Sequence, residues 1–255
     1  MIELAEVHKS FGRQHVLRGV TLTIPPGKIT VIIGPSGTGK SVTLRHMIGL
    51  TQPDRGRVLV DGINVATLDR RGLTQFRRRF GMVFQHAALF DSMTVYENLA
   101  FPLREDGGHT EAAIRTRVRE RLQAVGLSGI EEKMPSELSG GMRKRVGIAR
   151  ALVLQPAILL YDEPTTGLDP LMTDAIDKLI MAMQHERPIT SVVISHDVES
   201  TFRIADQIAM LSGGRIVEAG APETFRRSGH PIVRRFLEGR SEGTPGDPAI
   251  DETMR

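Results

Sequence analysis

Hydrophobic and polar positions along the chain follow two different periods, and the switch between them marks out its parts. Ile2, Leu4 and Val7, then Val16, Leu17, Val20, Leu22 and Ile24, recur at near-alternate positions, and Pro25-Pro26-Gly27 ends the series. A period close to two predicts two short antiparallel strands that feed a third beyond the turn. That third segment, Ile29-Thr30-Val31-Ile32-Ile33, is a β-branched run, as a buried strand would be. Residues 57–62, 80–84, 157–164 and 190–197 read as further strands, each with a polar or turn-forming end. Within residues 86–155 the period lengthens: Ile114, Val118, Leu122 and Val125 lie three or four apart with charges between them, which predicts a helical insertion. Residues 209–220 read as a hairpin at Gly213-Gly214, with a helical stretch after it. Strands alternating with helices predict an α/β fold in one domain over 1–240, its helical part at about 86–155. The remaining 241–255 form a polar tail whose Pro, Gly and acidic content predicts disorder unless a partner orders it.

Composition narrows the chemistry. At 255 residues the chain is long enough to bury a full core. Cysteine is absent, which removes disulfides, thiolate zinc sites and a thiol nucleophile. No apolar run is long enough for a membrane span, and the start lacks the apolar segment of a signal peptide. The formal charge is +3, with Arg gathered at 77–79, 226–227 and 234–235 and Arg-Lys-Arg at 143–145. Such clusters usually form solvated faces, with nucleic acid or an anionic membrane surface as the sharper alternative. Aromatics make up only 4% of the residues, too few for a base-stacking surface, so no nucleic-acid partner is expected.

The candidate chemistry starts directly after the third strand, where Gly34-Pro35-Ser36-Gly37-Thr38-Gly39-Lys40-Ser41 matches G-x-x-x-x-G-K-S and leads into a helical pattern. Glycines at these positions let successive backbone N–H groups face an anion, and the following helix adds its positive end. Lys40 is then placed for β- and γ-phosphates, and the Ser41 hydroxyl for magnesium. Phe11, beside a glycine on a loop, either caps the small sheet or stacks on a nucleobase. Gln85, at the end of the 80–84 strand, is either a plain loop residue or a neutral group that reaches metal and water. Ser139-Gly140-Gly141 opens a helix and forms a second anion cradle, although its first turn is basic, the unfavourable end for cations. Asp162 and Glu163 end a buried strand. Alternation along a strand would aim them to opposite faces, so the first can approach magnesium while the second poises a water. His196, at a strand tip, is either structural or a donor to the γ-phosphate.

Taken together, Gly34 to Ser41, Gln85, Leu138 to Met142, Ile158 to Glu163, Gly167-Leu168-Asp169 and His196 resemble the motif set of ATP-binding-cassette ATPases over nearly the whole chain. The resemblance implies a RecA-like P-loop core with an antiparallel β-subdomain and an α-helical subdomain. It also implies ATP and Mg2+ as ligands, and two copies closing head to tail so that each ATP lies between one phosphate loop and the opposite Ser139-Gly140-Gly141. By the same resemblance Phe11 stacks on adenine, Gln85 links metal to a transmembrane partner, Asp162 supports magnesium through water, Glu163 is the general base, Asp169 bridges the copies and His196 fixes the γ-phosphate. Phe11 stands where Tyr is usual, and Met142 where Gln is usual. Met142, with residues 84–94, 101–105 and 143–145, is similar to the ATPase of bacterial Mce/Mla-type lipid transporters. That likeness implies permease chains, an Mce-domain lipid-binding protein, a small cytoplasmic accessory protein and a place on the cytoplasmic face of the inner membrane. It further implies that His86 to Arg104 forms a permease-facing groove with Leu89, Phe90 and Met93, and that the C-terminal segment packs across the dimer. An importer of amino acids or metal ions would share every one of these catalytic residues.

Overall fold

The structure, a computed structural model, describes residues 1–186 and 188–240. The predicted disorder of 241–255 lies outside them. In chain order the elements are β1 (Ile2–Phe11), β2 (Gln14–Ile24), β3 (Ile29–Ile33), α1 (Lys40–Met47), β4 (Arg55–Val60), β5 (Ile63–Asn64), α2 (Arg70–Arg77) and β6 (Phe80–Val83). They continue as α3 (Val95–Asp106), α4 (Glu111–Ala124), α5 (Gly140–Leu152), β7 (Ile158–Asp162), α6 (Pro170–Glu186) and β8 (Thr190–Ile194). The last are α7 (Val198–Ile204), β9 (Gln207–Ser212), β10 (Arg215–Gly220), α8 (Pro222–Arg226) and α9 (Pro231–Leu237).

Two sheets carry the fold. The smaller is antiparallel, in the order β2-β1-β4-β5, and the larger runs β10-β9-β3-β8-β7-β6. Inside the larger sheet β3, β6, β7, β8 and β9 pair in parallel, and β10 closes one edge antiparallel through the Gly213-Gly214 turn. β1 and β2 are longer than their patterning suggests, at 10 and 11 residues. The cause is visible in the sequence: Leu4 and Val7 are three apart rather than two, and the ladder shifts register between them where Glu6 takes φ +50°. The extra residue bends and twists the strand without ending it.

Alternation along the central strands sorts their side chains onto two faces. Ile32, Leu160, Val192 and Ile194 pack with Leu44 and Met47 of α1 and with the inner face of the small sheet, Ile2, Leu4, Val20 and Val58 among them. Val31, Leu159, Tyr161 and Val193 point the other way, into a core with Leu99 of α3, Val118 of α4, Ile148 of α5 and Ile176 of α6. The larger sheet is thus the middle layer of three, and its central strands β3 and β8 are buried at every residue. Because β3, β7 and β8 run in the same direction, their C-terminal ends bring the loop after Ile33, Asp162 and the 195–197 turn to one edge of the sheet. That is the edge where open α/β sheets hold ligands.

Of Arg77, Arg78 and Arg79, expected as a solvated face, Arg78 stays exposed, but each finds a partner in the fold. Arg77 donates to the carbonyls of Ile48 (3.1 Å) and Gly49 (2.8 Å) at the C-terminal end of α1. Arg78 pairs with Asp106 at 3.1 Å, and Arg79 pairs with Asp61, which also takes the N-terminal amine.

Candidate functional site

The loop between β3 and α1 is shaped by glycines that no other residue can replace. Gly34 has φ +148°, and a Cβ there would lie 2.0 Å from the Leu211 carbonyl oxygen. Gly39 has φ +101° and would place a Cβ 2.6 Å from Leu17 Cδ2. Gly39 is also the residue before α1; it offers no side-chain cap, and the first turn of the helix holds no acid. The first N–H groups of α1 therefore remain open to an anion. Lys40 is 5% exposed and folds back along the loop, donating to the carbonyls of Gly34 (2.7 Å) and Pro35 (2.9 Å). Burial lowers its pKa, against the opposing pull of Glu163 and Asp162. Thr38 Oγ1 donates to the Pro35 carbonyl at 2.9 Å, which braces the loop from within.

This loop floors a cavity of about 300 Å³ bounded by Phe11, Val16, Ser36, Gly37, Gly39, Lys40, Ser41, Val42 and Glu163. Phe11 stands at its rim, half exposed, with the Lys9 ammonium 5.6 Å from its ring. A flat aromatic beside an anion-binding loop suits a planar base next to a phosphate chain. A larger recess of about 470 Å³ lies along α2, between Arg70, Arg71, Thr74, Gln75 and Arg78, and contains none of the motif residues.

Asp162 ends β7, and its Oδ1 accepts from Ser41 Oγ at 2.8 Å. Burial pushes the Asp162 carboxyl up, the Ser41 hydrogen bond counters it, and neighbouring Glu163 adds to the rise. A desolvated carboxylate joined to a hydroxyl, beside an anion-binding loop, is a donor set of hard oxygens short of positive charge, which fits magnesium. The described residues hold no cluster of three or more His, Cys, Asp or Glu suited to a metal, so the rest of such an ion's shell would come from phosphate and water. Glu163 does not continue the strand alternation. Its φ is +51° and its N–H bonds to Ile194 at 3.1 Å, so the chain turns out of the sheet at this residue. The turn carries Glu163 into the same cavity that Ser41 lines instead of to the opposite face. Its Oε2 accepts from Thr166 Oγ1 at 2.9 Å and lies 3.4 Å from His196 Nδ1. His196 is half exposed, immediately before Asp197, whose carboxylate caps α7 by accepting from Ser200 N at 3.0 Å.

The other predicted residues lie apart from this cavity. Ser139 caps α5, its Oγ accepting from Met142 N at 3.3 Å, and Ser139 and Gly140 are exposed. Neither they nor Gly141 line the cavity of their own chain. Asp169 is exposed and caps α6 through Met172 N at 2.9 Å. α6 and α7 are joined by Asp177, fully buried, which accepts from Ser200 Oγ at 2.7 Å and Arg203 Nη1 at 2.8 Å. Gln85 is half-buried, and its carbonyl takes a hydrogen bond from Lys144 Nζ at 2.5 Å. Lys144 therefore finds a partner in spite of its place in the first turns of α5, as does Arg143, which donates to the Leu138 carbonyl at 2.8 Å. Phe90 and Phe101 meet edge to face at 5.4 Å and are both partly exposed, whereas Leu89 packs on the core. The loop that bears Phe90 is fixed by buried Asn98, which exchanges hydrogen bonds with Phe90 N (2.8 Å) and O (3.1 Å). Near these motifs, Thr166 and Arg150 are marked by no motif of the sequence, and Lys144 reads there only as part of a basic cluster. Thr166 sits three residues after Glu163, a spacing at which a hydroxyl reaches back, and was the one open to discovery.

With that geometry in hand, comparison with known proteins gives consistent matches. Residues 17–166 match the family model of the ABC transporter. The chain is 46% identical over 245 residues to the "probable ribonucleotide transport ATP-binding protein mkl" of Mycobacterium leprae, spanning 96% of this chain and 71% of that protein. It is 45% identical over 242 residues to "methionine import ATP-binding protein MetN 2" of Pseudomonas aeruginosa, spanning 93% and 72%. It is 40% identical over 243 residues to the "intermembrane phospholipid transport system ATP-binding protein MlaF" of Escherichia coli, spanning 95% and 90%. Among solved structures, the dimeric post-hydrolysis state of the ATP-binding cassette MJ0796 bound to ADP and Pi superposes with a TM-score of 0.80 at 34% identity, covering 87% of this chain and 99% of that one.

Proposed function

This chain belongs to the ABC transporter family as an ATP-binding, ATP-hydrolysing subunit, and we propose that its transporter moves lipid. The observation that carries the reading of the site is its one-sidedness. The phosphate loop, Ser41 and Glu163 share one cavity, with Asp162 bonded to Ser41 beside it, while Ser139 and Gly140 are exposed and none of Ser139–Gly141 lines that cavity. We infer that a second copy supplies that cradle, as the dimeric cassette neighbours suggest.

In the proposed site the residues divide the work by their chemistry. Phe11 offers its ring to the base. The open N–H groups from Gly37 to Ser41 and the Lys40 ammonium take the phosphates, once Lys40 leaves the Gly34 and Pro35 carbonyls. Ser41 and Asp162, with Gln85, would hold Mg2+, which neutralises phosphate charge when bound. Glu163, steadied by Thr166 and flanked by His196, accepts the proton of the attacking water at its free carboxylate oxygen. His196 then stands where its ring donates to the terminal phosphate, and Asp169 meets the second copy from the exposed start of α6.

The cargo reading rests on Met142 after Ser-Gly-Gly, on Phe101-Pro102-Leu103, and on similarity to MlaF along nearly the full length of both chains. It carries with it permease chains and an Mce-domain protein as partners, a small accessory protein, and a place on the cytoplasmic face of the inner membrane. No described helix is long and apolar enough to cross a membrane, so the attachment would run through the permease, with Phe90 and Phe101 as contacts. The test is purification from membranes with whatever permease accompanies the chain, followed by reconstitution and ATP-dependent transfer assays. Movement of labelled phospholipid between vesicles supports the proposal. Uptake of methionine or a nucleotide without phospholipid movement overturns the cargo and leaves the cassette reading intact.

A further inference from the structure

The loop after β6 adopts a conformation that its sequence does not favour. Ala87 and Ala88 are consecutive residues with φ of +59° and +49°. Neither is glycine, nor an Asn or Asp whose side chain would settle such a turn locally. A strained pair of this kind persists only where its surroundings hold it.

The surroundings here are one helix. Lys144 Nζ donates to the Gln85 carbonyl at 2.5 Å. Arg150 reaches the next two carbonyls that the turn exposes, Nη2 to Ala87 at 3.0 Å and Nη1 to Ala88 at 2.8 Å. Between them Gly147 lets the backbone of α5 come against the turn: a Cβ on Gly147 would lie 3.1 Å from Ala87 Cβ and 3.2 Å from its Cα. The three contacts are spaced three residues apart along α5, and the Arg150 guanidinium also lies 5.9 Å from the Phe90 ring centre. Lys144 is 7% exposed, and among the described residues neither it nor Arg150 makes an ion pair with a carboxylate within 4 Å. A buried cation such as Lys144 is ordinarily paired with an acid, and Arg150 is itself part-buried. These two direct their donors at three consecutive-segment carbonyls of one strained loop, an arrangement whose consequence is geometric.

We propose that Lys144 and Arg150 are positioning residues for ATP turnover: from α5 they grip the Gln85–Ala88 loop by its carbonyls, so that Gln85 and the Ser139–Gly141 cradle at the head of the same helix move as one body. The inference rests on the reading of Gln85 as part of the metal end of the ATP site. Its consequence is that engagement of the cradle by a second copy is felt at Gln85 without any rearrangement of the larger sheet. Phe90, held between Arg150 and Phe101, travels with it.

The experiment compares the full chain with Lys144→Met, Arg150→Lys and Gln85→Ala in four readouts: melting temperature, binding of a fluorescent ATP analogue, kcat, and the Mg2+ concentration for half-maximal turnover. Lys144→Met and Arg150→Lys are expected to lower kcat and raise the Mg2+ requirement by about 10-fold or more, the usual effect of removing a group that orients a metal-site residue, with nucleotide binding and melting unchanged. Ala88→Gly, which removes the Cβ strain of the turn at an exposed position, is expected to recover at least part of the kcat lost in Lys144→Met. Wild-type kcat and Mg2+ dependence in both cation variants overturn the inference, as does a loss that tracks a fall in melting temperature or that Ala88→Gly leaves untouched. If Gln85→Ala itself leaves kcat and Mg2+ dependence unchanged, the metal-end reading of Gln85 fails, and the inference fails with it. If Gln85→Ala is impaired and the cation variants are not, only the inference fails.

Discussion

Replacing Lys40 by Met separates what the lysine does for the empty chain from what it does for the nucleotide. In the structure its ammonium is buried and satisfied by two loop carbonyls. Desolvation is the larger influence on it, ahead of the attraction of Glu163 and Asp162, so a methionine of similar volume should not lower the unfolding midpoint. With nucleotide the balance changes. A ligand at about 100 times its Kd adds about 2.7 kcal/mol to stability. For a chain of this size that is an upward shift of roughly 5–11 °C. A charge-assisted contact is worth about 1.5–3 kcal/mol. Lys40 must release two carbonyls to make it, so the net value lies near the low end, about 1.5–2 kcal/mol, a loss of roughly 12- to 30-fold in affinity. The variant should then keep only about 0.9–1.3 kcal/mol of nucleotide stabilisation at the same ATP concentration, a shift of roughly 2–5 °C. Thermal unfolding of both chains with and without Mg-ATP measures this. A Lys40→Met chain that retains the full nucleotide shift would refute the assignment of the ammonium to the phosphates.

Asp162→Asn keeps an acceptor for Ser41 and removes a carboxylate whose pKa is raised by burial. An acid with a raised native pKa binds its proton more tightly when folded, so its ionised form lowers stability near neutral pH and that penalty fades as pH falls through the native pKa. The variant should therefore melt higher than the parent at pH 7 without metal, with the gap narrowing on acidification, and should lose the Mg2+-dependent part of turnover; a lower melting point at pH 7 contradicts this. Asp177→Ala strands Ser200 and Arg203, and because Arg203 keeps Asp174 at 3.6 Å the loss should be about 2–3 kcal/mol, a fall of roughly 4–12 °C, checked by thermal unfolding.

How much of this was legible in the sequence depends on whether a feature is made by residue type or by approach. Gly34, Gly39, Lys40 and Ser41 announce their loop because each type is demanded locally, and the Leu4–Val7 spacing even encodes the bulge in β1. The two faces of the larger sheet follow from alternation, as Ile32 and Leu160 against Val31 and Leu159 illustrate. Glu163 breaks that logic, since its positive φ ends the alternation one residue after Asp162 and turns its carboxylate into the cavity lined by Ser41, the hydrogen-bond partner of Asp162. The arginines at 77–79 looked like solvated charge because their acceptors, Ile48, Gly49, Asp61 and Asp106, arrive from distant parts of the chain. Lys144 and Arg150 were invisible for the same reason: a left-handed turn at Ala87-Ala88 has no residue signature, and the carbonyls it exposes exist only once α5 is docked. The contact of Asp177 with α7 likewise joins two helices that the sequence separates by a strand.

The central claim is that each reaction chamber is shared between two copies. Sedimentation of Glu163→Gln, which should bind ATP but turn it over too slowly to reopen, tests it most directly. The variant is expected to run as a monomer without nucleotide and as a dimer with Mg-ATP, and Gly140→Asp in the same background should abolish the dimer while leaving ATP bound. A monomer saturated with ATP in the Glu163→Gln chain, under conditions where its Lys40 and phosphate loop are engaged, would contradict the account.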